Sequence, residues 1–117
     1  SRHPRKEPMT KRQFNSFKRV FKAEQKRLNL NEYTVSFRLK KLRDCWACIE
    51  ADPEGCVAVV EINDTTWQDA MVESTAKHEA IHLLLARLVE IGGRRFADEA
   101  EFRNEEERVV SLLEKLL

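Results

Sequence analysis

Residues 56–67, Cys56-Val-Ala-Val-Val-Glu-Ile-Asn-Asp-Thr-Thr-Trp67, change their period partway along, and that change decides the fold. Up to Ile62 the run is apolar and β-branched, as suits a strand buried in a small sheet. Asn63 to Thr66 then offer several helix N-caps. From Trp67 onward the spacing turns helical: Trp67, Met71, Thr75, His78, His82, Leu85 and Val89 share one face, and Gly92-Gly93 is the expected stop. Reading backward, Asp52-Pro53-Glu54-Gly55 separates this strand from a β-like run at 45–51. Pro suits the second position of a type I turn and Gly the left-handed site after it, so the two runs form a hairpin.

The outer segments complete one α+β domain over residues 10–117. Tyr33, Val35, Phe37 and Leu39 alternate with Thr34, Ser36, Arg38 and Lys40, which predicts a third strand. Before it, Thr10-x-x-Gln13 reads as a capping box, followed by a helix whose stripe is Phe14, Phe17, Phe21 and Leu28, with Lys and Arg on its other side. A last helix is expected from about Asp98 to Leu116, with Phe102, Val109, Val110, Leu112, Leu113, Leu116 and Leu117 inward. The order is thus helix, three strands, helix, helix. Residues 1–9, basic and interrupted by Pro4 and Pro8, read as a flexible tail.

Composition narrows the classes. With 117 residues, 42% hydrophobic and 35% charged, the chain fits one globular domain with a modest core. No run approaches the ~18 apolar residues of a membrane span, so no membrane partner is expected. Three cysteines and no secretory signal point to reduced thiols and a cytoplasmic protein. Cys45-Trp-Ala-Cys48 has the spacing of a zinc or redox pair, but its strand-like surroundings favour small apolar filler. The net charge of +1 conceals a split: 14 Lys/Arg against 3 Asp/Glu through Arg43 gives +11, and 7 against 17 from Asp44 onward gives −10. The basic half is either a nucleic-acid-binding arm or a segment that docks on its own acidic half, and the near-neutral total favours docking.

His78-Glu79-Ala80-Ile81-His82 carries the chemistry. Positions i and i+4 of a helix stack on one face, so both imidazoles reach a single ion while Glu79 lies beside whatever else that ion holds. This is the pattern of zinc peptidases: two metal ligands and a general base. A catalytic zinc takes a third protein ligand. Leu85 and Leu88 occupy the places where a longer motif would put Gly and a third His, and His3 lies in the tail, which leaves a carboxylate of the last helix. Glu106 falls within about 40° of the apolar face of that helix, Glu105 about 60° away, and Glu107 on the opposite side. Glu106 is therefore the expected third ligand and Glu105 the next candidate. A solvated acidic cluster in the first helical turn is the bland alternative for all three.

The active-site helix followed by a Glu-bearing helix resembles the gluzincin branch of the zincin metallopeptidases, in particular the very small members found among phage and prophage proteins. The resemblance covers residues 33–117. It implies a small mixed sheet above the active-site helix, with the strand nearest that helix, 56–62, as the edge along which an extended peptide lies. It implies Zn²⁺ held by His78, His82 and Glu106, with Glu79 passing a proton from the attacking water to the leaving amine. Larger gluzincins add a Tyr or His near the metal for the oxyanion. Here the one tyrosine is Tyr33 and no histidine follows His82, so Arg87, Arg94, Arg95 and Arg103 are the alternatives. The expected activity is zinc-dependent peptide hydrolysis. A nucleic-acid-associated protein or protease using the basic N-terminal segment, and a non-catalytic module stapled by zinc, are the competing readings.

Overall fold

The structure is a computed structural model that describes residues 7–95 and 99–116, the side chains of a few positions between 91 and 116 excepted. Helix α1 (Lys11–Arg27) precedes strands β1 (Thr34–Lys40), β2 (Ala47–Asp52) and β3 (Val57–Asn63), and helices α2 (Asp69–Arg95) and α3 (Glu99–Leu116) close the chain. This is the α+β order expected. Among the described residues, no helix is long and apolar enough to cross a membrane.

The capping box of α1 forms: Gln13 N–H donates to Thr10 Oγ1 and Thr10 N–H to Gln13 Oε1, each at 3.1 Å. Phe17 and Phe21 are fully buried and meet Phe37 edge-on. At the far end Gln25 is buried, with Nε2 donating to the Leu30 and Tyr33 carbonyls at 2.9 Å, so the corner into β1 leaves no polar group stranded. α1 docks through these apolar residues, while Arg12, Arg19, Lys22 and Lys26 stay exposed. The expected docking of the basic half by charge is thus not what seats this helix. Residues 7–9 are docked as well: Met9 is buried and donates its N–H to Asp64, and Thr66 Oγ1 donates to the Glu7 carbonyl.

The sheet order is β1-β3-β2, with β3 parallel to β1 and antiparallel to β2. β3 is therefore the middle strand, and the expectation that 56–62 is a substrate-facing edge is corrected: the edge beside α2 is β2. The reason is physical, since the most apolar strand takes the position paired on both sides, and the more polar strands take the edges. One face of the sheet joins α1 and α2 in the core through Val35 and Phe37, Ala47 and Ile49, and Val60 and Ile62.

Three local expectations also change. The hairpin turn places Cys56 (φ 54°) rather than Gly55 in the left-handed region. A Cβ at Gly55 would meet Asp52 Oδ2 at 2.6 Å, so a larger residue there would have to turn that side chain aside. Cys45 is exposed, and half-buried Cys48 lies 3.8 Å from Glu61 Oε1, so neither is core filler. Burial, with Cys45 close by, pushes the Cys48 thiol up to about 11. Trp67 precedes α2 rather than lying in it; its ring is buried against Phe17 and Trp46, and its Nε1–H donates to the Asn63 carbonyl at 2.7 Å. α2 itself continues through Gly92-Gly93 to Arg95. Glycine accepts helical dihedrals at roughly 0.5–1 kcal/mol each, a small cost beside that of a packed helix.

Candidate metal centre

α2 brings His78, Glu79 and His82 onto one face, with one ligand atom from each within 4.8 Å of the others. Ala76, Ala80 and Leu83 on the adjoining face are buried in the core, which fixes the rotation of the helix and hence the direction of the rings. The Nε2 atoms of His78 and His82 stand 3.2 Å apart. α3 packs across them with Val110 fully buried.

The carboxylates of α3 sort into two kinds. Glu107 meets the inner side of the rings: Oε1 lies 2.7 Å from His82 Nε2, and Oε2 lies 3.7 Å from His78 Nε2. Glu106 and Glu114 meet the outer side, at 3.5 Å from His82 Nδ1 and 2.5 Å from His78 Nδ1 respectively. A carboxylate at each Nδ1 favours the tautomer protonated there. With Nδ1 protonated, both Nε2 atoms and Glu107 Oε1 present lone pairs to one point, where a proton or a cation would sit.

The donor set fits zinc. Tetrahedral zinc with bonds of 2.0–2.2 Å separates its ligand atoms by about 3.3–3.6 Å. The inner contacts of 2.7, 3.2 and 3.7 Å bracket that range. Charge agrees: Glu79, Glu106, Glu107 and Glu114 crowd two imidazoles, a charge that a divalent cation offsets in part. Burial pushes the Glu79 carboxyl up from 4.5 to about 7; His82 opposes this and the three acids of α3 add to it. For His82 burial acts to lower the pKa, yet the Glu106 contact and the fields of Glu79 and Glu107 outweigh it, and the net shift is upward.

The structure thus brings His78, Glu79 and His82 together as expected and sets Glu106 beside them, on the Nδ1 side of His82. Glu107, expected to face away, and Glu114, which the sequence did not single out, are the surprises. α3 meets the rings through Glu106, Glu107 and Glu114 around the buried Val110, so its contact face is wider than the expected one and includes it. Glu107-x-x-Val110-x-x-x-Glu114 is itself a helical stripe, the signal that was available. The Glu105, Arg94 and Arg95 side chains lie outside the described residues. Of the oxyanion candidates, Arg103 lines the cleft and Arg87 is turned to the Pro53 carbonyl at 3.4 Å. Tyr33 is buried in the core, and that burial raises its pKa.

A cleft of about 1200 Å³ runs beside the histidines, between β2, α2 and α3. In an antiparallel ladder bonded pairs alternate. Asn63 N–H donates to the Trp46 carbonyl, so by register Cys48 with Glu61 and Glu50 with Val59 are bonded pairs. The backbone amides and carbonyls of Ala47, Ile49 and Ala51 therefore point away from β3, on the side of the cleft these residues line. Comparisons of the chain with protein-family models, with curated proteins and with solved structures gave no match.

Proposed function

We propose that the chain is a zinc metallopeptidase of the minimal gluzincin kind. One observation carries the reading: two Nε2 atoms converge with one carboxylate at their meeting point, while a separate carboxylate holds each Nδ1. His78, His82 and Glu107 are the residues that would hold the ion, with Glu106 and Glu114 orienting the rings, so that Glu106 moves from ligand to support. Bound zinc supplies a water made acidic towards about pH 7 and a Lewis acid for a carbonyl oxygen. Glu79, buried beside the two rings, is placed to take a proton from that water and return it to a leaving amine. The outward backbone groups of Ala47, Ile49 and Ala51 suit pairing with an extended peptide, which would lay its chain past the histidines. Arg103 lines the same cleft.

The test combines zinc content with peptide cleavage. Wild type is expected to carry one zinc per chain and to cleave an unstructured peptide. Glu79→Gln should keep the zinc and lose cleavage by about 10²–10⁴-fold. Zinc bound in full with no cleavage by wild type would remove the enzymatic part. It would favour the second reading, a zinc staple, which the position of all these contacts on the α2–α3 seam also supports.

A further inference from the structure

We propose that the cleft selects extended peptides carrying lysine or arginine at alternate positions, by means of Glu50 and Asp52 on β2 and the exposed face of Trp46. The proposal rests on the peptidase reading for what becomes of the bound chain, and on charge and shape for the binding.

The cleft follows β2 along its length. Trp46 marks one end, its ring edge-on to Trp67 at 5.2 Å ahead of α2. Pro53 marks the other, its carbonyl accepting from Arg87 in a later turn of the helix. The histidines thus lie between the two ends. At about 3.3 Å per residue the six residues of β2 would pair with some 20 Å of peptide, so side chains on both sides of the scissile bond would be held.

Charge chooses among those side chains. Among the described residues the cleft is lined by seven carboxylates and one guanidinium, that of Arg103. With neutral histidines, a divalent cation bound and Glu79 protonated or replaced by Gln, the lining carboxylates still outnumber the positive charges. Three of the carboxylates belong to the histidine contacts of α3, but Glu50 and Asp52 are exposed on the strand that would pair with the peptide. They share one face of β2 with Cys48, because strand side chains alternate. A paired peptide therefore sets every second side chain beside them, where opposite charges attract and like charges repel. Walls of low dielectric focus that field along the groove.

Trp46 gives an independent indication. It is 44% exposed while in T-shaped contact with Trp67, so part of an indole ring is open to a ligand at the mouth of the cleft. Ammonium and guanidinium groups bind such a face, most strongly on tryptophan. Acids along the strand and an indole at its end favour the same side chains.

The experiment measures binding apart from cleavage. Zinc-loaded Glu79→Gln chain is titrated, by fluorescence anisotropy, against labelled decapeptides alternating Ala with Lys, with Glu or with Ser. The Lys peptide is expected to bind about tenfold or more tightly than the Glu peptide at about 50 mM salt, the gap narrowing at about 500 mM. Glu50→Gln combined with Asp52→Asn should weaken the Lys peptide about fivefold and leave the Ser peptide unchanged. Both positions are exposed, and Asn keeps the acceptor that Asp52 offers Glu54 N–H, so the variant retains the turn. Equal affinity for the Lys and Glu peptides, no binding of the Lys peptide, or equal weakening of the Lys and Ser peptides by the double variant would each overturn the proposal. A wild-type chain that cleaves nothing while the Lys preference and its loss in the double variant persist would overturn the peptidase reading and support this one.

Discussion

The first turns of α2 and the turns around His82 are packed by opposite means. Val72, Ala76 and Ala80 share one apolar cluster with Phe17, Val60 and Ile62. A few residues on, His82 faces Glu106 and Glu107 of α3. Burial of carbon needs no partner beyond shape, so the first region folds on its own account. The seam gathers acids around two rings, where protons or a cation offset their charge. One helix thus belongs both to an apolar core and to a charged seam.

The largest expected effect tests the complete half. Phe17→Ala should cost about 3–5 kcal/mol. Thermal unfolding should show the same loss with and without zinc if the two regions are energetically separate; a loss confined to the zinc-free chain would break the comparison.

The next effect tests the seam through pH. Because Glu79 titrates near 7 in the fold against an ordinary 4.5, the folded state holds its proton more firmly than the unfolded chain. Stability is then full below about pH 4.5 and falls as the pH rises from there through about 7. Glu79→Gln has no charge to bury. The metal-free variant should therefore be more stable than wild type by of order 3 kcal/mol at pH 8, and no more stable at pH 4. Denaturant unfolding at the two pH values measures this, and an equal difference at both would show that the carboxylate is not strained by burial.

Zinc should then stabilise wild type by about 2.7 kcal/mol at a hundredfold excess over its Kd. Amide exchange locates the gain: slower in α3, little changed in α1. The smallest effect separates ligand from support. Glu106→Gln and Glu114→Gln should weaken zinc about 10–100-fold, as losses at ring-orienting carboxylates do. Glu107→Gln should weaken it more, and zinc titration of the three variants ranks them. A larger loss at Glu106 would return that residue to the ligand set.

The same contrast explains what was legible in the sequence. Apolar periodicity reports which residues are buried, and it found the Phe17–Phe21 stripe, the three strands and the face that carries His78 and His82. It does not report which strand lies beside which, so β3 was read as an edge although its lack of polar residues marks a middle strand. It fails again on α3, where the residues meeting α2 are largely charged. The apolar residues of α3 point to Glu106, which does meet His82, but they carry no signal for Glu107 and Glu114. The left-handed Cys56 was hidden because glycine one position earlier is the ordinary occupant of that conformation.

α2 is 27 residues long, about 40 Å in a molecule 54 Å across, and it is anchored at its start by Trp67 and by Gln13, whose Nε2 donates to Trp67 O and Asp69 Oδ1. That latch fixes where the helix begins, as the core contacts of Ala76, Ala80 and Leu83 fix how it is turned. His82 lies roughly 20 Å along the axis from Asp69, so a tilt of about 5° at the first turn would displace its ring by about 2 Å. Metal–ligand distances are held to within about 0.2 Å. A glutamine on the opposite helix, touching neither ring nor peptide, is in this way one of the residues that aim the histidines.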